Sequence, residues 1–147
     1  HPKFENITWK LISTMNNRFP LFIFKQMFSS FSTLKYHEAK NKIANYDIEA
    51  IRKMNGRQRS GYGFYIDLEQ VNEITIEDLK AVSCPTLIMQ SKYDSSVPIE
   101  HAYFAQENIP SAELCLVDSW GHLIWLGKSS NEINYNVINF LQSNKNS

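Results

Sequence analysis

Two short apolar runs in the sequence are each followed by a side chain that could take part in acid–base chemistry. Asp94 comes a few residues after TLIMQ, and His122 comes a few residues after AELCLVD. A carboxylate that accepts a hydrogen bond from the Nδ1–H group of an imidazole leaves Nε2 able to take a proton from a hydroxyl group. The two residues therefore have the chemistry of a base and its orienting acid, provided that the fold brings them together.

The two runs have the pattern of neighbouring strands in a parallel sheet. TLIMQ is short, nearly continuous in apolar residues and bounded by Pro85 and polar residues, which is typical of a strand buried on both faces, and AELCLVD is predicted as a second short strand. Helices are predicted in TIEDLK with Thr75 as its cap, in IEHAYFAQENI, and in SSNEINYNVINFLQS, where Ser129 and Glu132 have the spacing of a capping box. The residues of this last helix that should face the core are Ile133, Val137, Phe140 and Leu141. This order predicts an α/β fold in which both side chains emerge at the carboxyl edge of the sheet, where ligands bind.

The residues before this α/β layer predict helices. Apolar positions recur at helical spacing from Phe4 to Met15, and a second helix starts at Pro20. The apolar side of the second helix carries Phe24, Met27, Phe28 and Phe31. We interpret these side chains as packing between helices, and the alternative is that they line a substrate pocket.

Composition excludes several classes of function. The chain has 15 basic and 15 acidic residues and no long basic run, so neither nucleic acid nor an anionic membrane surface is implied as a partner. No stretch approaches the roughly 20 unbroken apolar residues of a membrane span. Cys84 and Cys115 are too few for a disulfide framework and are interpreted as buried thiols, which fits a reducing cytoplasm. No histidine or cysteine pair has metal-ligand spacing and no glycine-rich phosphate loop is present, so no cofactor is expected.

Each candidate site residue has an alternative interpretation. Asp94 could be a turn or helix-capping aspartate, and His122 could be a core histidine whose ring is satisfied by the backbone. Asp118, at the end of the second strand, is the second candidate for the acid. His37 and His101 lie on predicted helices beside polar residues and are interpreted as surface histidines.

The stretches PTLIMQSKYDSSVP and IPSAELCLVDSWGHLIWLG together resemble the C-terminal part of the α/β-hydrolase family, in which the acid follows the penultimate core strand and the histidine follows the last one. The resemblance covers roughly residues 75–142. It implies that Asp94 and His122 are the acid and base of a Ser-His-Asp triad, that residues 1–67 form a helical lid, and that residues 68–147 form the C-terminal part of the core. Within the family, GHLIWLG is similar to bacterial carboxylesterases and monoacylglycerol-lipase-like enzymes.

The same resemblance implies a serine between flanking glycines on a strand-to-helix turn, and the sequence has no such motif. The nearest serine is Ser60 in RQRSGYG, which lacks both the glycine spacing and a preceding strand. Because the chain also starts without methionine, we expect the C-terminal fragment of a serine hydrolase that cleaves carboxylic esters or related acyl compounds, inactive without its serine. The alternative is a complete, non-catalytic interaction module that reuses the lid and the two strands.

Two further expectations concern partners and chemistry. Two parallel strands alone have unpaired edges, so we expect a homo-oligomer or pairing with the missing N-terminal half. The sequence leaves the acyl group and the alcohol undefined. Thioesterase, amidase, haloalkane and C–C bond chemistry stay open, because the same scaffold supports all of them.

Overall fold

Residues 13–57, the first described part of the chain, are largely helical. The computed structural model describes residues 13–57, 66, 69 and 74–145. Residues 13–18 are helical, so only the end of the first predicted helix is described, and Ser60 lies outside the described residues. Three helices follow, namely α1 (Pro20–Phe31), α2 (Tyr36–Ala39) and α3 (Asp47–Arg57). No helix in the described part of the chain is long and apolar enough to cross a membrane.

The second part is an α/β layer. Its elements are α4 (Ile76–Lys80), β1 (Thr86–Ser91), α5 (Ile99–Asn108), β2 (Ala112–Val117) and α6 (Ser130–Ser143). The strands pair in parallel, with Thr86 opposite Ala112 and Ser91 opposite Val117, so both strands end at the same edge. The prediction of neighbouring parallel strands is therefore confirmed. The predicted cap of α4 is also confirmed, since Oγ1 of Thr75 accepts a hydrogen bond from the first turn at 3.2 Å.

Three expectations about burial and capping are wrong. Most of β1 is only half-buried, because the described residues supply a sheet of two strands and no further neighbour covers it. In α6, Ile133 is buried, but Val137 and Leu141 are exposed. Ser129 makes no side-chain capping hydrogen bond, because its backbone (φ −82°, ψ −1°) lacks the extended conformation that aims an N-cap side chain at the first turn.

The main hydrophobic core joins the helical part to the loop after β2. Its buried members are Phe24, Phe28, Ala39, Ile51, Trp120, Leu123 and Leu126. The Phe28 ring stacks on Trp120 with 5.4 Å between ring centroids, and Phe24 meets the same indole edge-on at 5.8 Å. The interpretation of these two phenylalanines as packing residues is confirmed. The proposed boundary between residues 1–67 and 68–147 falls among residues that are not described, and it stays a prediction.

Candidate active site

Asp94 and His122 lie together beyond the carboxyl ends of the two strands. Nδ1 of His122 is 2.8 Å from Oδ2 of Asp94, whose side chain is only 5% exposed, whereas that of His122 is 35% exposed. Because a carboxylate can only accept, this contact places the proton of a neutral imidazole on Nδ1. Within the described residues, Nε2 has no hydrogen-bond partner. The arrangement is a half-buried imidazole held in one tautomer by a buried carboxylate.

The loop after β1 fixes the Asp94 carboxylate from its other side. Oδ1 accepts hydrogen bonds from the backbone N–H groups of Ser96 at 2.8 Å and Val97 at 3.0 Å, which leaves Oδ2 to His122. The Val97 carbonyl in turn accepts a hydrogen bond from the Gln90 side chain at 2.7 Å, and this connects the loop to the end of β1. Asp94 is thus a turn aspartate and the partner of the imidazole at the same time, so the two interpretations are compatible.

The C-terminal end of α1 lies between the loop that carries Asp94 and the loop that carries His122. The Phe31 carbonyl accepts hydrogen bonds from the backbone N–H groups of His122 at 2.7 Å and Ser95 at 3.5 Å. The hydroxyl groups of Ser95 and Ser96 donate to two more carbonyls at this end of α1, at 2.9 and 2.7 Å. A helix leaves its last carbonyls without intrahelical partners, and here the two loops satisfy them. The helical part therefore supports both the loop that carries Asp94 and the loop that carries His122.

Ser32 and Gly121 bring the histidine loop very close to the end of α1. Ser32 is buried, its hydroxyl donates to the Trp120 carbonyl at 2.5 Å, and its backbone forms an isolated antiparallel bridge with Asp94. A Cβ added at Gly121 would overlap the Phe31 carbonyl oxygen and lie 3.1 Å from Cβ of Ser32. Glycine is therefore needed at position 121 for close approach of two backbones.

Asp118, the second candidate for the acid, is engaged elsewhere. Its side chain is 58% exposed and forms an ion pair with Lys42. The hydrogen bond from Lys42 holds the pKa of the Asp118 carboxyl below its usual value. The Lys42 ammonium group also lies over the Tyr93 ring, 5.3 Å from its centroid. Nδ1 of His122 thus meets Asp94, and Asp118 belongs to a separate cluster.

The remaining candidates lie apart from this pair. His37 and His101 are exposed, as expected for surface histidines. Both cysteines are free thiols. Cys84 precedes β1 and is exposed, so the interpretation as a buried thiol is wrong for this residue. Cys115 is half-buried. Across the described ranges, no three His, Cys, Asp or Glu side chains come together in a way that could hold a metal ion.

The sequence does not reveal Asp47 as part of this site. It is fully buried at the start of α3 and accepts hydrogen bonds from Trp120 and Gly127, which flank His122 in the sequence. In the sequence it is only an acidic residue at the start of a predicted helix, a position that favours acids whether or not they are buried. Its bond to Trp120 spans 73 residues, so no local pattern indicates it.

The chain has the fold of the C-terminal half of an α/β-hydrolase. It shares with that half the parallel strands, the helices around them and the helical segment that precedes them. An α/β-hydrolase fold protein from Nakamurella multipartita matches with a TM-score of 0.74 at 23% identity, over 92% of this chain and 50% of that protein. The structure of MenH from S. aureus matches with a TM-score of 0.56 at 17% identity, over 97% of this chain and 54% of that protein. At these identities the likeness shows the fold alone.

Sequence comparison assigns the chain to a protein family. Residues 65–146 match the family described as TAP-like protein, and the chain belongs to this family of α/β-hydrolases. It is also 51% identical over 142 residues to a protein described as uncharacterized hydrolase YcgS, from Bacillus subtilis (strain 168). That match covers 97% of this chain and 50% of YcgS, so the chain spans about half the length of this curated relative.

Proposed function

We propose that these residues are the C-terminal part of a serine hydrolase that cleaves carboxylic esters or related acyl compounds, with Asp94 and His122 as the acid and base of its triad. The observation that carries the proposal is the 2.8 Å contact between Nδ1 of His122 and Oδ2 of Asp94. Membership of the α/β-hydrolase family and a relative of about twice the length support it. The two free thiols fit a reducing cytoplasm as its location.

In the proposed mechanism, a serine from outside these 147 residues attacks the carbonyl carbon of the substrate. Nε2 of His122 takes the hydroxyl proton as the bond from Oγ to carbon forms, and Asp94 stabilises the resulting imidazolium through Nδ1–H. The tetrahedral intermediate then collapses, and His122 gives the proton to the departing alcohol. Water attacks the acyl-serine by the same route and releases the acid. The donors that stabilise the oxyanion also come from outside this chain.

In the same proposal, residues 1–67 form the lid over the acyl pocket. The described part of this segment supports the assignment, because the end of α1 lies directly against both loops. A lid in this position can exclude water from the acyl group while it fixes the acid and the base.

The test compares this chain with the longer polypeptide that the proposal requires. We expect the longer protein to react with a fluorophosphonate probe and to hydrolyse p-nitrophenyl acyl esters, whereas this chain alone does neither because it lacks the serine. In the longer protein, Asp94→Asn should lower kcat by about 10⁴-fold with little loss of folding, because the imidazole then takes the wrong tautomer.

Two matched controls separate this effect from general disturbance. Asp118→Asn makes the same chemical change on an exposed aspartate, and His101→Ala removes an exposed histidine. Both should leave kcat close to that of the unchanged protein, while His122→Ala abolishes turnover. Full activity of Asp94→Asn would exclude the proposed acid, and a longer protein that is not labelled by the probe would favour the non-catalytic interaction module.

For the chain by itself, we propose that a second copy covers the open sheet. Within the described residues each strand has one edge without a partner, and α6 exposes Tyr135, Ile138 and Leu141. Unpaired strand edges recruit further strands, so sedimentation should show a dimer or a larger oligomer. In the longer hydrolase the N-terminal half takes the place of the second copy. A chain that sediments as a monomer at micromolar concentration would contradict this proposal.

A further inference from the structure

A buried carboxylate outside the Asp94–His122 pair holds the histidine loop at both of its ends. Oδ2 of Asp47 accepts hydrogen bonds from Nε1 of Trp120 at 3.1 Å and from the backbone N–H of Ala44 at 2.8 Å. Oδ1 accepts a hydrogen bond from the backbone N–H of Gly127 at 2.9 Å. Trp120 and Gly127 begin and end the segment that we call the histidine loop, residues 120–127.

The histidine loop closes on itself at this carboxylate. Gly127 has a φ of 89°, and a Cβ added there would lie 2.8 Å from Cδ1 of Trp120, so the two ends of the loop are in contact. Trp120 is fully buried and stacks on Phe28, which fixes the first end in the core. Because both ends are held, the middle of the loop has little freedom, and His122 is placed by its backbone bond to Phe31.

Within the described residues, the three hydrogen-bond partners of the Asp47 carboxylate are all N–H donors, and this makes a carboxylate the fitting side chain. Both of its oxygens accept, so three donors can be satisfied at once. An asparagine would turn its NH₂ group toward at least one N–H and leave that buried donor without an acceptor. Burial raises the pKa of the Asp47 carboxyl above its usual value, and the hydrogen bonds from Ala44, Gly127 and Trp120 oppose that rise.

We propose that Asp47 is a positioning residue for His122, because it fixes both ends of the histidine loop and so keeps the imidazole at hydrogen-bonding distance from Asp94. The effect on reaction rate rests on the proposed function. The effect on the position of the imidazole does not, and it can be measured in this chain without any turnover.

The test follows the proton on Nδ1 of His122 by ¹⁵N-edited NMR of the imidazole rings, with His122→Gln to assign the signal. We expect a protected Nδ1 proton in the unchanged chain and in the control Asp118→Asn. In Asp47→Asn, the proton should exchange about ten-fold faster or its signal should disappear, because one lost buried hydrogen bond is worth about that factor. Unchanged exchange in a folded Asp47→Asn would overturn the proposal.

A second pair of variants decides the question if Asp47→Asn does not fold. Trp120→Phe removes one N–H donor to Asp47 and keeps an aromatic ring in the core. Ile133→Val removes a methyl group from a buried side chain in α6, outside the core that contains Trp120, so it serves as the control for a general loss of stability. Faster Nδ1 exchange in Trp120→Phe than in Ile133→Val supports the proposal, and equal exchange in the two variants overturns it.

A kinetic readout in the longer hydrolase separates positioning from simple stability. Asp47→Asn should lower kcat by about ten-fold at unchanged KM per folded molecule, since substrate contacts stay and only the base is displaced. A purely structural role would lower the unfolding temperature and leave kcat per folded molecule unchanged. Failure of the unchanged longer protein to turn over would contradict the proposed function, while the NMR comparison would still decide the role of Asp47.

Discussion

The contact between Gly121 and the end of α1 predicts a large effect from one added methyl group. In Gly121→Ala, the new Cβ would overlap the Phe31 carbonyl oxygen, and it would lie 3.1 Å from Cβ of Ser32. Both neighbours are held, because the Phe31 carbonyl accepts the His122 N–H and the Ser32 hydroxyl is bonded to Trp120. Neither can give way without breaking a buried hydrogen bond.

The free energy of unfolding should therefore fall by about 2 kcal/mol in Gly121→Ala. Overpacking of this kind costs about 2 kcal/mol, and weakening the bond between His122 and Phe31 adds about 1 kcal/mol. The lower backbone entropy of the unfolded alanine chain returns about 0.7 kcal/mol. For a chain of this length the net change corresponds to a fall of about 4 to 8 °C in unfolding temperature, measured by circular dichroism or calorimetry.

Gly56→Ala is the matched control, because a Cβ added at this position in α3 would meet no atom of the described residues within 4 Å, apart from its chain neighbours and the backbone of its own helix. A glycine in a helix is less favourable than alanine, so this variant should be more stable by about 0.5 to 1 kcal/mol. The two substitutions are chemically identical and should have effects of opposite sign. Equal unfolding temperatures for Gly121→Ala and Gly56→Ala would refute the close approach between the histidine loop and α1.

Three further predictions concern stability and reactivity. Phe28→Ala should lower the free energy of unfolding by about 3 to 5 kcal/mol, because the ring is buried against Trp120. The control Phe22→Ala, at an exposed position on the same helix, should change it by less than about 0.5 kcal/mol. Similar values for the two variants in urea titrations would be evidence against this core. The lowered pKa of Asp118 means that its ion pair stabilises the fold above the ordinary aspartate pKa of about 3.9 and loses this effect as pH falls through the lower native value. The difference in free energy of unfolding between the unchanged chain and Asp118→Asn, below about 1 kcal/mol for such an exposed pair, should be present at pH 7 and shrink below about pH 4 in thermal unfolding. A difference that grows as the pH falls would contradict this sign. Exposed Cys84 should react with a thiol reagent before Cys115, which peptide mapping of the first labelled product can check.

The sequence is sufficient to predict the α/β layer and the position of its candidate site. The two strands are short apolar runs with clear boundaries, and parallel pairing follows from the helix between them. Once the strands are neighbours, Asp94 and His122 must emerge at one edge, and the structure places them 2.8 Å apart. These features depend on local patterns and on one simple rule of sheet topology.

The features that the sequence does not reveal depend on contacts between distant parts of the chain. The bond from Ser32 to the Trp120 carbonyl spans 88 residues, and that from Gly127 to Asp47 spans 80 residues. The sequence pattern overestimates the burial of β1 and of the α6 face for a related reason, because apolar residues indicate which face should be covered and not whether a neighbour is present. Leu141 is an example, since it lies at a core position of the helical pattern and is 61% exposed.

The position of the α1 terminus has a consequence for engineering hydrolases of this architecture. Exchanging lids between related enzymes is an obvious way to change which acyl chains they accept. If residues 1–67 are the lid, as proposed, such an exchange would also replace Phe31 and Ser32, whose carbonyl and hydroxyl groups are hydrogen-bonded to the loops that carry Asp94 and His122. Under the proposed function, substrate range and turnover would therefore be linked through one short stretch of backbone, and a graft that keeps residues 29–33 should separate them.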